Sequence, residues 1–211
     1  MQDGERSGGF YRLLSLASLY DLAQSAFGAT NARRSVVRDY FGSIRGARIL
    51  DIGCGTAQIA SVLDEGIYHG FDPNPSYVEA ARESLGKAGR VWQGTIQDPR
   101  LPDGEPYEIV HAGGVAHHVD DSAAAQMFQL AFEVLRPGGR VITIDPCVHA
   151  GQSLLARTLV RRDRGQYVRS PDEYEQLAAP VFDGARIAVR DELLRIPYSH
   201  CVIVGTKPTH M

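Results

Sequence analysis

Apolar and polar positions change their rhythm several times along the chain. Between residues 10 and 41, Phe10, Leu13, Leu14, Ala17 and Leu19 recur near helical spacing, as do Val36, Val37, Tyr40 and Phe41, so this stretch predicts two helices. Residues 28–31 would separate them, with Asn31 as a candidate N-cap. From residue 48 onward, short apolar runs alternate with amphipathic stretches. "ARIL" reads as a buried strand reaching Asp51, 57–63 as a helix, "IYHGFD" as a second strand, and 75–85 as a helix capped by Asn74 or Ser76. "RVWQGT" and "YEIVHAGG" read as the third and fourth strands. Residues 123–135 form an amphipathic helix closed by Pro137-Gly138-Gly139, and "RVITID" is the fifth strand.

Strands alternating with helices predict a doubly wound, Rossmann-like α/β fold around a parallel sheet. The tail breaks the rhythm. Residues 151–182 look helical and basic, and "ARIAVRDELL" and "SHCVIVGTK" look like two strands joined by a short loop, hence antiparallel. Composition narrows the class. Hydrophobic residues at 44% and charged residues at 22% are ordinary for a globular chain, and 211 residues fit one domain. A net charge of −3 argues against a general nucleic-acid or membrane-surface binder, which would carry a basic excess. Three dispersed cysteines, Cys54, Cys147 and Cys201, suggest neither a zinc site nor a disulfide framework, so no metal is expected. The polar opening MQDGERSGG lacks a secretory pattern and no apolar run is long enough to span a membrane, so a cytoplasmic protein is expected.

The chemistry concentrates in "ILDIGCGTAQIA". Ligands of open α/β sheets bind at the carboxyl ends of the strands, and Gly53 and Gly55 let the backbone approach one closely. A dinucleotide fingerprint, G-x-G-x-x-G, fails at its third glycine, where Gln58 stands. Asp51-Ile52-Gly53-Cys54-Gly55-Thr56-Ala57 instead resembles motif I, D/E-x-G-x-G-x-G, of the class I S-adenosylmethionine-dependent methyltransferases, with Ala57 in place of the last glycine. An acid before the glycines suits a cofactor bearing an ammonium and a sulfonium, and would repel a pyrophosphate. "GFD" ending at Asp72, "GTIQD" at 94–98, "HAGGVAHHVDD" and "VLRPGGRVITID" follow in the family's order, so the resemblance covers residues 48–146.

The resemblance implies strand order 3-2-1-4-5-7-6 with strand 7 antiparallel, within a single domain. Residues 1–44 would form an N-terminal helical lid, 45–146 the cofactor-binding core, and 147–211 the substrate-side helices and last strands. It implies S-adenosylmethionine as cofactor, leaving S-adenosylhomocysteine as product. The expected contacts are Asp51, Gly53, Cys54, Gly55 and Gly113 along the loop, Asp72 and Pro73 at the ribose, and Thr95, Ile96 and Gln97 (or Asp98) at the adenine, with Tyr20 of the lid near the methionine portion. His117 and His118 are candidate bases, because imidazole can take a proton from an acceptor near neutral pH. Arg161, Arg164, Tyr167, Arg169 and Tyr198 are candidate substrate contacts, since the segment after the fifth strand overhangs the site. A small-molecule acceptor, O- or N-methylation, and a monomer or homodimer are expected. A binding module without catalysis and a NAD-dependent oxidoreductase are the alternatives, the latter lacking a Y-x-x-x-K set. Nothing resembles the N-P-P-Y motif of nucleic-acid or protein methyltransferases.

Overall fold

The strand that carries the glycine loop is buried on both faces. Strand β1 (Arg48–Ile52) has four consecutive buried residues after Arg48, as a parallel strand covered on both sides must. The computed structural model describes residues 28–102, 104–162 and 165–209; the first of the two N-terminal helices, Tyr20 and Arg164 lie outside them. β1 pairs in parallel with β2 (Ile67–Asp72) and β4 (Tyr107–Gly113). β3 (Gly89–Gln93) adds beyond β2, and β5 (Leu135–Pro146) beyond β4. β6 (Arg186–Arg190) and β7 (His200–Thr206) complete a seven-stranded sheet of order 3-2-1-4-5-7-6, in which β7 runs antiparallel to both β5 and β6. The expected order and the antiparallel strand are therefore both present.

Each face of the sheet has its own core. One face packs helix α1 (Ala29–Val36), the π-helical turn Val37–Phe41 that continues it, a 3-10 turn (Gln58–Val62) and α2 (Pro75–Leu85). Its buried residues include Val36, Phe41, Ile49, Val78 and Ile142. The other face packs α3 (Asp121–Val134) and α5 (Pro171–Ala178) over Leu50, Ile52, Val110, Phe128, Tyr174 and Phe182. Helix α4 (Leu154–Arg161) lies between β5 and α5 in the chain. Asn74 caps α2 by accepting from the Ser76 amide, with Pro75 at the first helical position, as its sequence indicates.

The structure departs from the sequence reading at four element boundaries. Gly28, not Asn31, occupies the N-cap of α1, and Asn31 lies inside the helix. The segment after the glycine loop is a five-residue 3-10 turn, not a helix over 57–63, because the chain must re-enter the sheet at Ile67. Strand β5 begins at Leu135, whose pairing with Tyr107 draws the Pro137-Gly138-Gly139 turn into an irregular ladder. The last carbonyls of α3 are met from far along the chain, since Lys207 Nζ donates to Phe132 O and Leu135 O at 2.7 Å each. Finally, 151–182 holds two eight-residue helices, α4 and α5, separated by an irregular strap at 165–170.

Candidate functional site

Three residues in five adopt positive φ between β1 and the 3-10 turn: Gly53 (64°), Gly55 (53°) and Ala57 (58°). This winding folds the loop back onto the end of β2. Cys54 N donates to Phe71 O at 3.0 Å, Gly55 N to Asp72 Oδ2 at 2.9 Å, and Ala57 N to Cys54 O at 2.8 Å. A side chain at Gly53 would strike Val115, its Cβ lying 2.7 Å from Val115 Cγ2, whereas a Cβ at Gly55 would meet nothing within 4 Å. Gly55 therefore offers bare backbone to open space, the arrangement a closely approaching ligand needs. Ala57 pays a left-handed strain of about 1 kcal/mol that glycine would not. Ala57→Gly should stabilise the fold by about 0.5 kcal/mol in urea denaturation, after allowing for glycine's greater freedom when unfolded. A clear loss of stability would show that the buried methyl group matters more than the strain.

Acids stand at the carboxyl ends of the first two strands. Asp51 is buried; Tyr68 Oη donates to its Oδ2 at 2.6 Å, and His111 Nδ1 lies 2.7 Å from its Oδ1. Asp72 accepts from Gly55 N and, at 2.8 Å, from Asn74 N, leaving lone pairs on both oxygens. Burial pushes the Asp72 carboxyl above its ordinary range, against the pull of those two amides. Beside Asp72, Gly94 N donates to Asp72 O, and Thr95 closes a turn by accepting from Asp98 N through its hydroxyl. Ile96 packs on the core, while Gln97 is exposed and bonded to Gln126. Pro73 is exposed and its carbonyl accepts from Gln93. Gly113 ends β4 on the far side of β1. Cys54 is buried, and desolvation holds its thiol far above the range in which it could act as a nucleophile.

The two adjacent histidines occupy different environments. A 3-10 turn, Ala116–His118, follows β4. His117 is buried, and both its backbone N (3.1 Å) and its ring Nδ1 (2.8 Å) meet Oδ1 of the buried Asp145 at the end of β5. His118 is exposed, its ring stacked 4.0 Å from that of His117. The strap lies directly on this turn. Tyr167 N donates to His117 O at 3.0 Å, and a Cβ at Gly165 would lie 2.1 Å from His117 Cδ2. Gly165 also lines a cavity of about 400 Å³, shared with Val148, Arg161, Gln166, Ser170 and Glu173.

Residues 49–139 match a family model described as a methyltransferase domain. The matched stretch runs from β1 into β5, so this part of the chain is similar to a methyltransferase domain. Solved structures share its fold. The pyocyanin biosynthetic protein PhzM is 18% identical with a TM-score of 0.73, the alignment covering 95% of this chain and 61% of PhzM, so this chain spans about three fifths of that protein's length. A methyltransferase in complex with the Haloferax volcanii Trm112 activator is 16% identical with a TM-score of 0.69, covering 93% and 96%. PigF, solved with SAH, is 21% identical with a TM-score of 0.64, covering 84% and 55%. No curated protein matches the sequence.

The candidate residues do not all converge. The fold gathers Asp51, Gly53, Cys54, Gly55 and Asp72 around one loop, with the Thr95 turn and Gly113 on either side. Arg161 lines the cavity; Tyr167 is exposed beside it, and Tyr198 packs at a tilt of 51° on His200 with ring centroids 5.1 Å apart. Arg169 corrects the sequence reading. Its guanidinium is buried, and all five of its N–H donors are spent within the protein, on Asp121 Oδ1 through Nε and Nη2, on Ala116 O and Tyr167 O through Nη1, and on Val119 O through Nη2. It clamps the histidine turn and has no donor left for a substrate. Three residues of the site escaped sequence reasoning: Asp145, His111 and Tyr68. The available signal for Asp145 was its position, an acid at the carboxyl end of a strand, like Asp51 and Asp72.

No helix among the described residues is long and apolar enough to cross a membrane.

Proposed function

We propose that this protein transfers the methyl group of S-adenosylmethionine to a hydroxyl of a small molecule, with His117 as general base. The observation that carries the reading is the double attachment of His117 to Asp145 Oδ1. A carboxylate facing Nδ1 selects the tautomer protonated there, which leaves Nε2 as the proton acceptor. Holding the backbone by the same oxygen fixes the ring's position as well as its protonation. The cofactor supplies a methyl group made electrophilic by its sulfonium. The chain's part is to align donor and acceptor and to take up the acceptor's proton. A hydroxyl needs that proton removed; a neutral amine does not.

The residues at the strand ends suit the cofactor. Gly55 leaves room for close approach, and Asp72 keeps lone pairs for two ribose hydroxyls. A dinucleotide suits them less, because its pyrophosphate seeks the N-terminus of a full α-helix, and here a short 3-10 turn follows the loop. A cavity of about 400 Å³ is within the range for small ligands, and Gly165, which lines it, also packs against His117. The segment from residue 147 onward would thus supply the acceptor side. Arg161, at the cavity wall, is the candidate for an acidic group on the acceptor.

Asp72→Ala should weaken cofactor binding by about 1–3 kcal/mol, because the ribose hydroxyls lose their acceptors; calorimetric titration measures it, and unchanged affinity would place the ribose elsewhere. Because burial raises the Asp72 carboxyl above its usual range, its protonation begins at a higher pH than for an exposed acid. Cofactor affinity should accordingly fall on acidification sooner than ordinary carboxylates would make it fall. The reading as a whole is tested by incubating the protein with methyl-labelled S-adenosylmethionine and separate panels of phenols, aliphatic alcohols, amines, RNA and protein. Label is expected on a hydroxyl of a small molecule. Label confined to amines would remove the need for a base, and label confined to macromolecules would overturn the acceptor class.

A further inference from the structure

The walls of the cavity beside the strap carry two opposite charges that do not meet. Arg161 is the last residue of α4, and Glu173 is the third residue of α5. Both line the cavity of about 400 Å³, with Val148 and Val168 as its apolar part. Each charge sits at the helix end that its sign favours. That explains its place on its own helix, but not why both face one open volume. Among the described residues no hydrogen bond or ion pair engages the Arg161 guanidinium, so none links it to Glu173. Glu173 commits one oxygen: its Oε2 accepts from Ser170 N at 2.7 Å and from Ser170 Oγ at 2.8 Å, closing the capping box of α5. Those same two bonds hold its carboxyl below the ordinary range, so it is an anion at neutral pH. Its Oε1 keeps its lone pairs. Arg169 is also near this carboxylate, but its donors are spent on Asp121 and on three backbone carbonyls.

A ligand with a single charge gains one of these attractions and is repelled by the other wall. A ligand with both charges gains twice. We propose that this cavity binds a zwitterion of the α-amino-acid class, with its carboxylate on Arg161 and its ammonium on Glu173 Oε1. The planar guanidinium can grip a carboxylate with two parallel bonds, and Val148 and Val168 offer apolar surface to the carbon chain. Both charged side chains are exposed, so water and salt weaken each attraction, and selection needs the pair. That the bound molecule is also the methyl acceptor rests on the function proposed above. Gly165 lines the cavity and packs against His117, so the acceptor class selected on this side is a hydroxylated amino acid.

The test is calorimetric titration of the full chain with two matched sets of probes. One set is L-tyrosine, tyramine, p-hydroxyphenylpropionate and p-ethylphenol; the other is L-serine, ethanolamine, β-hydroxypropionate and ethanol. Within each set the members carry both charges, the ammonium alone, the carboxylate alone, or neither. In at least one set the zwitterion should bind about tenfold more tightly than either singly charged member, the effect of one charge-assisted hydrogen bond. Arg161→Met should erase the zwitterion's advantage over the amine and leave its advantage over the acid. Glu173→Gln, which can still close the capping box, should do the reverse. No binding by either set, equal affinity across a set, or variants that weaken every member alike would overturn the inference. Methyl-labelled S-adenosylmethionine separates it from the reading on which it rests. A zwitterion that binds but takes no label leaves the cavity assignment standing and overturns its use as acceptor. Label passing equally to L-tyrosine and p-ethylphenol would overturn the inference while the methyl-transfer reading stands.

Discussion

Replacing His117 by alanine should lower kcat for a hydroxyl acceptor by about 10²–10⁴-fold, the usual contribution of a positioned general base. Affinity for S-adenosylhomocysteine should change little, because His117 is bonded to Asp145 and to the strap, whereas the glycine loop is bonded to the end of β2. The separation of these two readouts distinguishes loss of a base from collapse of the site. A further distinction uses the acceptor. Above the pKa of a phenolic acceptor the substrate ionises itself, and the variant's rate should recover toward wild type. Asp145→Asn should depress kcat in the same direction, since the amide can present its N–H to Nδ1 and select the wrong tautomer. His118→Ala, at an exposed ring, should cost far less. Equal and mild losses for both histidines would make them structural.

Loss of Arg169 should be the most damaging single change to stability outside the hydrophobic cores. Arg169→Met keeps the length of the stem but strips the donors from Ala116 O, Tyr167 O and Val119 O, of which the Ala116 contact is the shortest at 2.6 Å. The partner Asp121 is 79% exposed, so its ion pair contributes little and water can replace it. The carbonyls, held under the strap, decide the outcome. Three lost acceptors at about 1 kcal/mol each give a destabilisation of about 3 kcal/mol, read as a lower urea midpoint with an unchanged slope. Arg169→Lys, with a single ammonium in place of the planar fork, should recover only part of it. A loss below about 0.5 kcal/mol would mean that the turn holds its shape without the clamp, and would reopen Arg169 as a substrate contact.

The parallel strands were legible because consecutive apolar residues have few other places to go, and the loop because glycines and acids at strand ends have few other uses. Asp51, Gly53, Gly55 and Asp72 could thus be named individually. The pairings were not legible, for reasons of register and distance. Asp51 and His111 lie 60 residues apart and meet only because they are lateral neighbours in the ladder. His117 and Asp145 meet because β4 and β5 end side by side, 28 residues apart in sequence. Arg169 misled for a related reason: in an arginine-rich run its sequence surroundings are those of a solvated face or an anion site, and the cluster of carbonyls it serves exists only after the turn following β4 has formed. The helix expected over 57–63 shortened because propensity gave no account of how soon the chain must return to β2.

The central claim is that the loop from Asp51 to Ala57, with Asp72, holds S-adenosylmethionine and not a dinucleotide. The most direct measurement is parallel calorimetric titration of the purified chain with S-adenosylhomocysteine and with NADH. Saturable binding of S-adenosylhomocysteine, weakened by Asp72→Ala, with no NADH heat is the predicted result; saturable NADH binding with no S-adenosylhomocysteine heat would contradict it.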